Sequence, residues 1–132
     1  MTSEYHDTVI VGAGLSGIGT ACHLLDAFPE MDVVLLESRE RLGGTWDLFR
    51  YPGIRSDSDM YTLGYRFQPW RDPEAIADGP AILKYIQETS EEHGLQEHIR
   101  FQHLVRSAEW SSSTGTWTVT AEKADTDGSA KA

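Results

Sequence analysis

Apolar residues are distributed along the chain in a few distinct patterns, and each pattern predicts an element. Thr8-Val9-Ile10-Val11 is a short β-branched run, and Asp32-Val33-Val34-Leu35-Leu36 becomes continuously apolar after its first residue. Both read as strands, the second buried on both faces as in a parallel sheet. The stretch between them is helix-compatible from Leu15 to about Phe28, and Pro29 marks its end because the ring cannot continue the hydrogen-bond ladder. From Ser38 to Asp78 both periodicities fade, while Gly43, Gly44, Pro52, Gly53, Pro69 and Pro73 interrupt the chain. Aromatic residues are dense in that same stretch, so it is predicted to be a binding segment without regular structure.

Beyond this segment the pattern becomes regular again. Asp78-Gly79-Pro80 opens a second helix, with Ile82, Tyr85, Ile86 and Thr89 on one face and Gly94 as its C-terminal cap. Ile99 to Val105 is predicted as a third strand, parallel to the first two. Trp110 and Trp117 flank a Ser/Thr/Gly loop, and Trp117, Val119 and Ala121 alternate with threonines, which predicts a hairpin carrying a cross-strand tryptophan pair. Residues 123–132 are small and polar, a tail or interrupted loop beyond a domain at 1–122. The sequence contains no internal repeat.

The turn after the first strand carries the most informative chemistry. Gly12-Ala13-Gly14-Leu15-Ser16-Gly17 places a Gly-x-Gly-x-x-Gly turn between a strand and a helix, the local design that holds a dinucleotide pyrophosphate on free helix amides. No lysine takes part, since none precedes Lys84. A turn that only packs helix on sheet is the competing reading, and the next strand argues against it. That strand ends in Glu37, twenty residues past Gly17, where a carboxylate meets the ribose hydroxyls. A carboxylate accepts from a free 2′-hydroxyl and repels a 2′-phosphate, so FAD or NAD is predicted rather than NADP. Arg39 and Arg41 nearby weigh slightly the other way.

Composition narrows the partners. The 132 residues carry 11 basic and 21 acidic side chains, a formal net charge of -10, which argues against nucleic acid or an anionic membrane surface. The single cysteine, Cys22, forms no internal disulfide and sits beside Ala21 and Leu25 in the first helix, where packing is the expected role. No stretch has the length of a membrane span, and Met1 to Asp7 lacks the apolar core of a signal peptide, so the cytoplasm is the expected location. No metal-ligand motif is read from the chain.

Two further blocks are suited to a ligand. Gly43-Gly44-Thr45-Trp46-Asp47 combines a close-running backbone with polar and aromatic side chains. Tyr51-Pro52-Gly53-Ile54-Arg55-Ser56-Asp57 sets a cation and an acid two residues apart on an anchored loop. On chemistry alone an ordinary glycine turn and a surface ion pair explain them equally well.

Taken together, Gly12-x-Gly14-x-x-Gly17 with Glu37, Gly43-Gly44-Thr45-Trp46 and Tyr51 to Asp57 closely resemble the start of class B flavoprotein monooxygenases, within them the Baeyer-Villiger branch and its ethionamide-activating type. The resemblance runs from about Thr8 to Val119. It implies an α/β, Rossmann-like three-layer FAD-binding fold, a parallel sheet plus a β-hairpin or meander, incomplete at the C-terminus. It also implies that Gly12, Gly14, Ser16, Gly17 and Glu37 hold the ADP part of FAD, and that Gly44, Thr45, Trp46, Asp47 and Leu48 follow the cofactor toward the flavin. Val105 would meet the adenine through its backbone. Arg55, Ser56 and Asp57 would lie where FAD and NADPH meet, Asp57 taking a catalytic part by positioning an arginine.

The family reaction implied is NADPH reduction of FAD, addition of O2 to give a flavin C4a-peroxide, and insertion of one oxygen into a small-molecule ketone or sulfur compound. The NADPH fold and the catalytic arginine of that family would fall beyond Ala132. The chain by itself is thus expected to leave an edge of its first strand unpaired, to be prone to association, and to be catalytically incomplete. The alternatives are a noncatalytic truncated FAD-binding fragment and another FAD-dependent oxidoreductase.

Overall fold

The computed structural model describes residues 3–124 and 130–131. Strand β1 (Thr8–Val11) leads through the glycine turn into helix α1 (Leu15–Ala27), which ends at Phe28 just before Pro29 and returns to β2 (Val33–Leu36). β1 and β2 pair in parallel from Thr8↔Val33 to Val11↔Leu36. β2 lies in the middle of a three-stranded sheet, and all four of its residues are buried, which is why its sequence is apolar without alternation. Among the described residues β1 pairs within this sheet only with β2, and Val11 at its end is exposed.

The long connection after β2 contains two single-turn helices, α2 (Thr45–Leu48) and α3 (Met60–Leu63), where the pattern predicted no regular structure. Four residues are too few to show a 3.6-residue period, and each turn depends on a local cap or neighbour. Asp59 caps α3 by accepting from the Thr62 amide at 3.0 Å. The aromatics of this connection divide into two groups. Tyr65, Phe67 and Trp70 turn inward toward α4 (Gly79–Glu92), where Tyr65 stacks on Phe67 and Tyr85 and Trp70 meets Tyr85 edge-on. Phe49, Tyr51 and Tyr61 stay exposed.

Helix α4 starts where the sequence places it. The Asp78 side chain accepts from the Ala81 amide at 2.9 Å and Pro80 occupies the first turn. Ile82, Tyr85, Ile86 and Thr89 are all buried, and the first three join Ile18, Ala21 and Cys22 of α1 and Val33 and Leu35 of β2 to form the core. Gly94, in the left-handed region at φ 66°, ends the helix and starts a short 3-10 turn at Leu95–His98.

The predicted third strand is divided. Only β3 (Ile99–Arg100) continues the parallel sheet, pairing Leu35↔Ile99 and Leu36↔Arg100. The chain then turns at Gln102, which takes φ 58°, and β4 (His103–Ser111) opens a separate antiparallel sheet. Val105 therefore belongs to the second sheet and not to the end of the parallel one. The break is fixed from outside the segment: Gln102 N donates to Arg39 O, and the Glu37 backbone pairs with Arg100 O and His103 N on either side of the turn.

β4 pairs with β5 (Thr116–Ala124) across the expected hairpin, Trp110 opposite Trp117 with ring centroids 5.6 Å apart. A bulge interrupts the register between Val105 and Ser107. Of the tail expected at 123–132, Lys123 and Ala124 complete β5, and β6 (Ala130–Lys131) adds a third antiparallel strand. Residues 125–129 and 132 lie outside those described. Among the described residues no helix is long and apolar enough to cross a membrane.

Candidate cofactor site

Two glycine turns, thirty residues apart in sequence, form one structure at the C-terminal end of the parallel sheet. Gly12 N donates to Leu36 O at 2.8 Å, binding the first turn to the end of β2. Gly17 sits so close to that turn that a Cβ there would lie 2.1 Å from Gly12 O, so helix and turn meet only because the side chain is absent. Gly14 differs: its φ of -85° suits any residue, and a Cβ there would make only ordinary contact, 3.5 Å from Gly44 Cα. The folded chain leaves room for a side chain at Gly14.

The second turn is built onto the first. Gly43 N donates to Ala13 O at 2.9 Å, and Gly44 packs against Gly14 tightly enough that a Cβ on Gly44 would come within 3.1 Å of Gly14 Cα. Helix α1 begins here with Gly14 as its cap residue and no side chain bonded to its first amides. Those of Leu15, Ser16 and Gly17 precede the first intrahelical bond, Ile18 N to Gly14 O, and the helix dipole adds positive potential at this end. An oxyanion is the partner such an end takes most readily.

Glu37 holds the assembly together from below. It is buried, and its two carboxylate oxygens divide the work: Oε1 accepts from Ala13 N at 3.0 Å and Oε2 from Arg39 N at 2.9 Å. Oε2 also accepts from the Ser38 hydroxyl at 3.4 Å, so it is Oε1 that keeps a further lone pair for a ligand hydroxyl. Asp47 in α2 is the second buried acid, and its neighbours are arginines. Arg39 lies 3.0 Å from Oδ2, Arg41 Nε donates to Oδ1 at 3.1 Å, and Arg50 donates to Oδ1 and, at 2.8 Å, to the Asp47 carbonyl. Burial pushes the Asp47 carboxyl up, but the hydrogen bonds from Arg50 and Arg41 and the Arg41 and Arg39 charges outweigh it and hold the group below its ordinary range. The Arg41 guanidinium is correspondingly held more firmly in its charged form.

The remaining sequence-derived residues fall around a neighbouring groove. Trp46 and Arg55, with Tyr51, Ile54, Ile76 and Leu83, help line an open hollow of about 600 Å3. Ser16, Thr45 and Leu48 are exposed. Ser56 is buried, with Oγ donating to Ser58 O at 2.7 Å and accepting from Ser58 N. Arg55 and Asp57 are both exposed, and the ion pairs among the described residues include none between them. Half-buried Val105 lies at the β4 bulge. The structure thus joins Gly12, Gly14, Gly17, Glu37 and Gly44 directly through hydrogen bonds and close backbone contact, while Arg55 shares the neighbouring hollow with Trp46, and Val105 follows two residues after His103, whose amide donates to Glu37 O. Sequence reasoning missed the arginine cluster around Asp47, although a Gly-Gly turn flanked by Arg39, Arg41 and Arg50 around one acid was a visible signal.

The family described as NAD(P)-binding Rossmann-like domain has a model that matches residues 10–81, more than half the chain. The chain belongs to that family. It is similar to the FAD-containing monooxygenase EthA of Mycolicibacterium smegmatis, 57% identical over 120 residues that make up 91% of this chain and 24% of that protein. EthA of Mycobacterium tuberculosis is 58% identical over 117 residues, 89% of this chain and again 24% of the relative. Among solved structures, oxidized steroid monooxygenase bound to NADP superposes with a TM-score of 0.79 at 31% identity, over 96% of this chain and 24% of that one. OTEMO in complex with FAD and NADP also gives 0.79, at 33% identity, over 91% of this chain and 23% of that one. The chain spans about a quarter of the length of the curated relatives it matches. These relatives are monooxygenases named for FAD, as the Gly-Gly-Thr-Trp and Tyr-Pro-Gly blocks imply.

Proposed function

We propose that this chain is the FAD-binding part of an NADPH- and O2-dependent monooxygenase that inserts oxygen into a small-molecule ketone or a sulfur-containing substrate. The observation that carries the reading is the docking of Gly43-Gly44 on Ala13-Gly14, through the 2.9 Å bond and the close backbone contact. A dinucleotide turn alone serves many chemistries. Built together with the Gly-Gly-Thr-Trp turn, in a chain whose relatives carry FAD in their names, it supports an FAD site.

In this reading the amides of Leu15 and Ser16 bind the pyrophosphate, with Gly12, Gly14 and Gly17 shaping the approach, and Glu37 accepts from the adenosine ribose. The engagement of Arg39 and Arg41 by Asp47 supports the ribose assignment, because both guanidiniums are directed away from a 2′-phosphate role. Gly44, Thr45, Trp46 and Leu48 follow the cofactor toward the flavin, Asp47 keeping their turn in place through its arginines. Val105 meets the adenine. Arg55, Ser56 and Asp57 border the region shared with NADPH, Asp57 orienting a catalytic arginine. The flavin, when bound, supplies the redox and oxygen-transfer chemistry, and the protein binds, orients and shields it. We assign the chain to the cytoplasm, for which its single, buried cysteine is the support.

Titration with FAD, followed by quenching of flavin fluorescence, tests the binding claim. Saturable binding with one flavin per chain is expected, and no binding overturns the reading. NADPH and a ketone or sulfide added to the loaded protein then separate a working monooxygenase, which yields oxygenated product, from a binding module, which retains FAD without turnover.

A further inference from the structure

The Tyr65 hydroxyl donates to the carbonyl oxygen of Leu15, fifty residues earlier and the first residue of α1. The surroundings are shaped for this contact. Gly19, one turn along the helix, has no side chain, and a Cβ there would lie 2.7 Å from Tyr65 Cε1. The Tyr65 ring stacks with Phe67 at 4.9 Å and Tyr85 at 5.6 Å, and its amide donates to the Tyr85 hydroxyl at 2.8 Å. That hydroxyl in turn donates to Gln68 O. Backbone and ring of Tyr65 are therefore both held before the hydroxyl reaches Leu15. Burial also keeps the phenol in its neutral, donating form.

The Leu15 carbonyl shares a rigid peptide plane with the Ser16 amide, the two groups pointing in opposite directions. In a helix the carbonyl points toward the C-terminus and the amide toward the N-terminus, here toward the open end of α1 at the glycine turns. A hydrogen bond accepted by the carbonyl fixes the plane. It also polarises the amide, strengthening it as a donor by roughly 10–30%.

We propose that Tyr65 is a positioning residue that aims and strengthens the Ser16 N–H as a donor to the phosphate of a bound dinucleotide. This rests on the pyrophosphate reading above and extends it: part of the anion affinity of the α1 end is set from the far side of the helix, by an aromatic in the long connection. Leu15 does not lose its role in the helix when the contact is removed, because its carbonyl remains available to the Gly19 amide.

The test compares the wild-type chain with Tyr65→Phe, which keeps the ring and its stacking. Calorimetric titration with ADP and with adenosine should show ADP binding weakened about twofold in Tyr65→Phe, as expected when one charge-assisted hydrogen bond loses about a fifth of its strength, and adenosine binding unchanged. In the ligand-free protein the Ser16 amide nitrogen resonance should move upfield in the variant, while the melting temperature falls by only a few degrees. Equal ADP affinity in both proteins, or an equal loss for ADP and adenosine, overturns the proposal. Wild-type protein that binds neither ligand overturns the underlying dinucleotide reading as well, and is thereby distinguished from failure of the Tyr65 role alone. If Tyr65→Phe is unstable, Gly19→Ser, whose side chain displaces the ring from the side of α1, must reproduce the selective loss of ADP affinity or the proposal fails.

Discussion

The amide of Ala13, in the turn after β1, is bound by the carboxylate of Glu37, just past β2, at 3.0 Å, although twenty-four residues separate them. The other carboxylate oxygen holds Arg39 N at 2.9 Å. Two backbone donors, the Ala13 one buried and the Arg39 one half-buried, therefore depend on one side chain having two acceptor atoms. Glutamine offers only one, so Glu37→Gln must leave either Ala13 or Arg39 facing an NH2 group. An unsatisfied buried donor costs about 1–3 kcal/mol, and the variant should lose about that much stability in denaturant unfolding. FAD affinity should fall with it, by about tenfold, from displacement of the turn and loss of the ribose acceptor. Unchanged stability and affinity would remove Glu37 from both roles.

Gly14 and Gly17 are the same residue type in the same motif but meet different demands. At Gly17 a Cβ would overlap Gly12 O at 2.1 Å, a backbone clash that only separation of α1 from its turn relieves. Gly17→Ala should therefore lose about 3 kcal/mol or more, seen as a large drop in melting temperature with or without cofactor. At Gly14 the chain has room, the nearest atom being 3.5 Å away. Gly14→Ala should keep its melting temperature within a few degrees while FAD binding weakens by at least about tenfold, because on the proposed pyrophosphate site the new methyl would stand in the path of the phosphates. Equal effects of the two substitutions on stability would contradict this division.

Much of this architecture was legible in the sequence because local signals agreed with one another. The Gly-x-Gly-x-x-Gly turn, the unbroken apolar run of β2, Asp78 before Gly79-Pro80 and the flanking Trp110 and Trp117 each give one structural answer, and each element is where those residues indicate. What was not legible depends on contacts across long sequence separations. The division of Ile99–Val105 turns on Gln102 adopting φ 58°, which its neighbours do not announce and which the Arg39 carbonyl helps to fix. Likewise, nothing around Tyr65 shows that it reaches Leu15 while Tyr51 stays exposed, since both are tyrosines in a stretch without periodicity. The site divides along the same line. Gly12, Gly14, Gly17 and Glu37 follow from spacing, whereas the seat of Gly43-Gly44 on Ala13-Gly14 and the arginines around Asp47 exist only once the chain is folded.

Cys22 provides a direct report on the core between α1 and the sheet. It is buried, and burial pushes its thiol up to about 11. At pH 8 little thiolate forms, and the sulfur is shielded from reagents in the native state. Iodoacetamide should label the native chain about a hundredfold more slowly than the chain in denaturant. The rate should rise in step with unfolding as urea is added. Rapid labelling at neutral pH without denaturant would place Cys22 at the surface and require α1 to pack differently.

Asp47 links the charge cluster to the acid stability of the fold. Its side chain is fully buried, its carboxyl titrates below the ordinary value of 3.8, and Arg39, Arg41 and Arg50 surround it. A carboxylate with a lowered folded-state pKa stabilises the native protein above its unfolded value and loses that contribution as pH falls through the folded value. The wild-type melting temperature should therefore hold steady from pH 7 to about 5 and decline below about 4 as Asp47 takes up a proton. Asp47→Asn retains the shape and removes the charge, leaving three guanidiniums to repel one another. At pH 7 it should be less stable by about 2 kcal/mol, at the lower end for a broken buried pair because all three arginines reach solvent. The difference between the two proteins should narrow as the pH drops below about 4, where the unfolded wild-type chain takes up the proton that folded Asp47 resists, and should level off only below the lowered folded value. Because α2 carries both Asp47 and the turn seated on Gly14, FAD should bind more weakly to the variant at pH 7 than to the wild type, and the two affinities should converge in acid. A stability difference that stays constant from pH 7 to pH 3 would show that the arginines act on Asp47 by packing and not by charge.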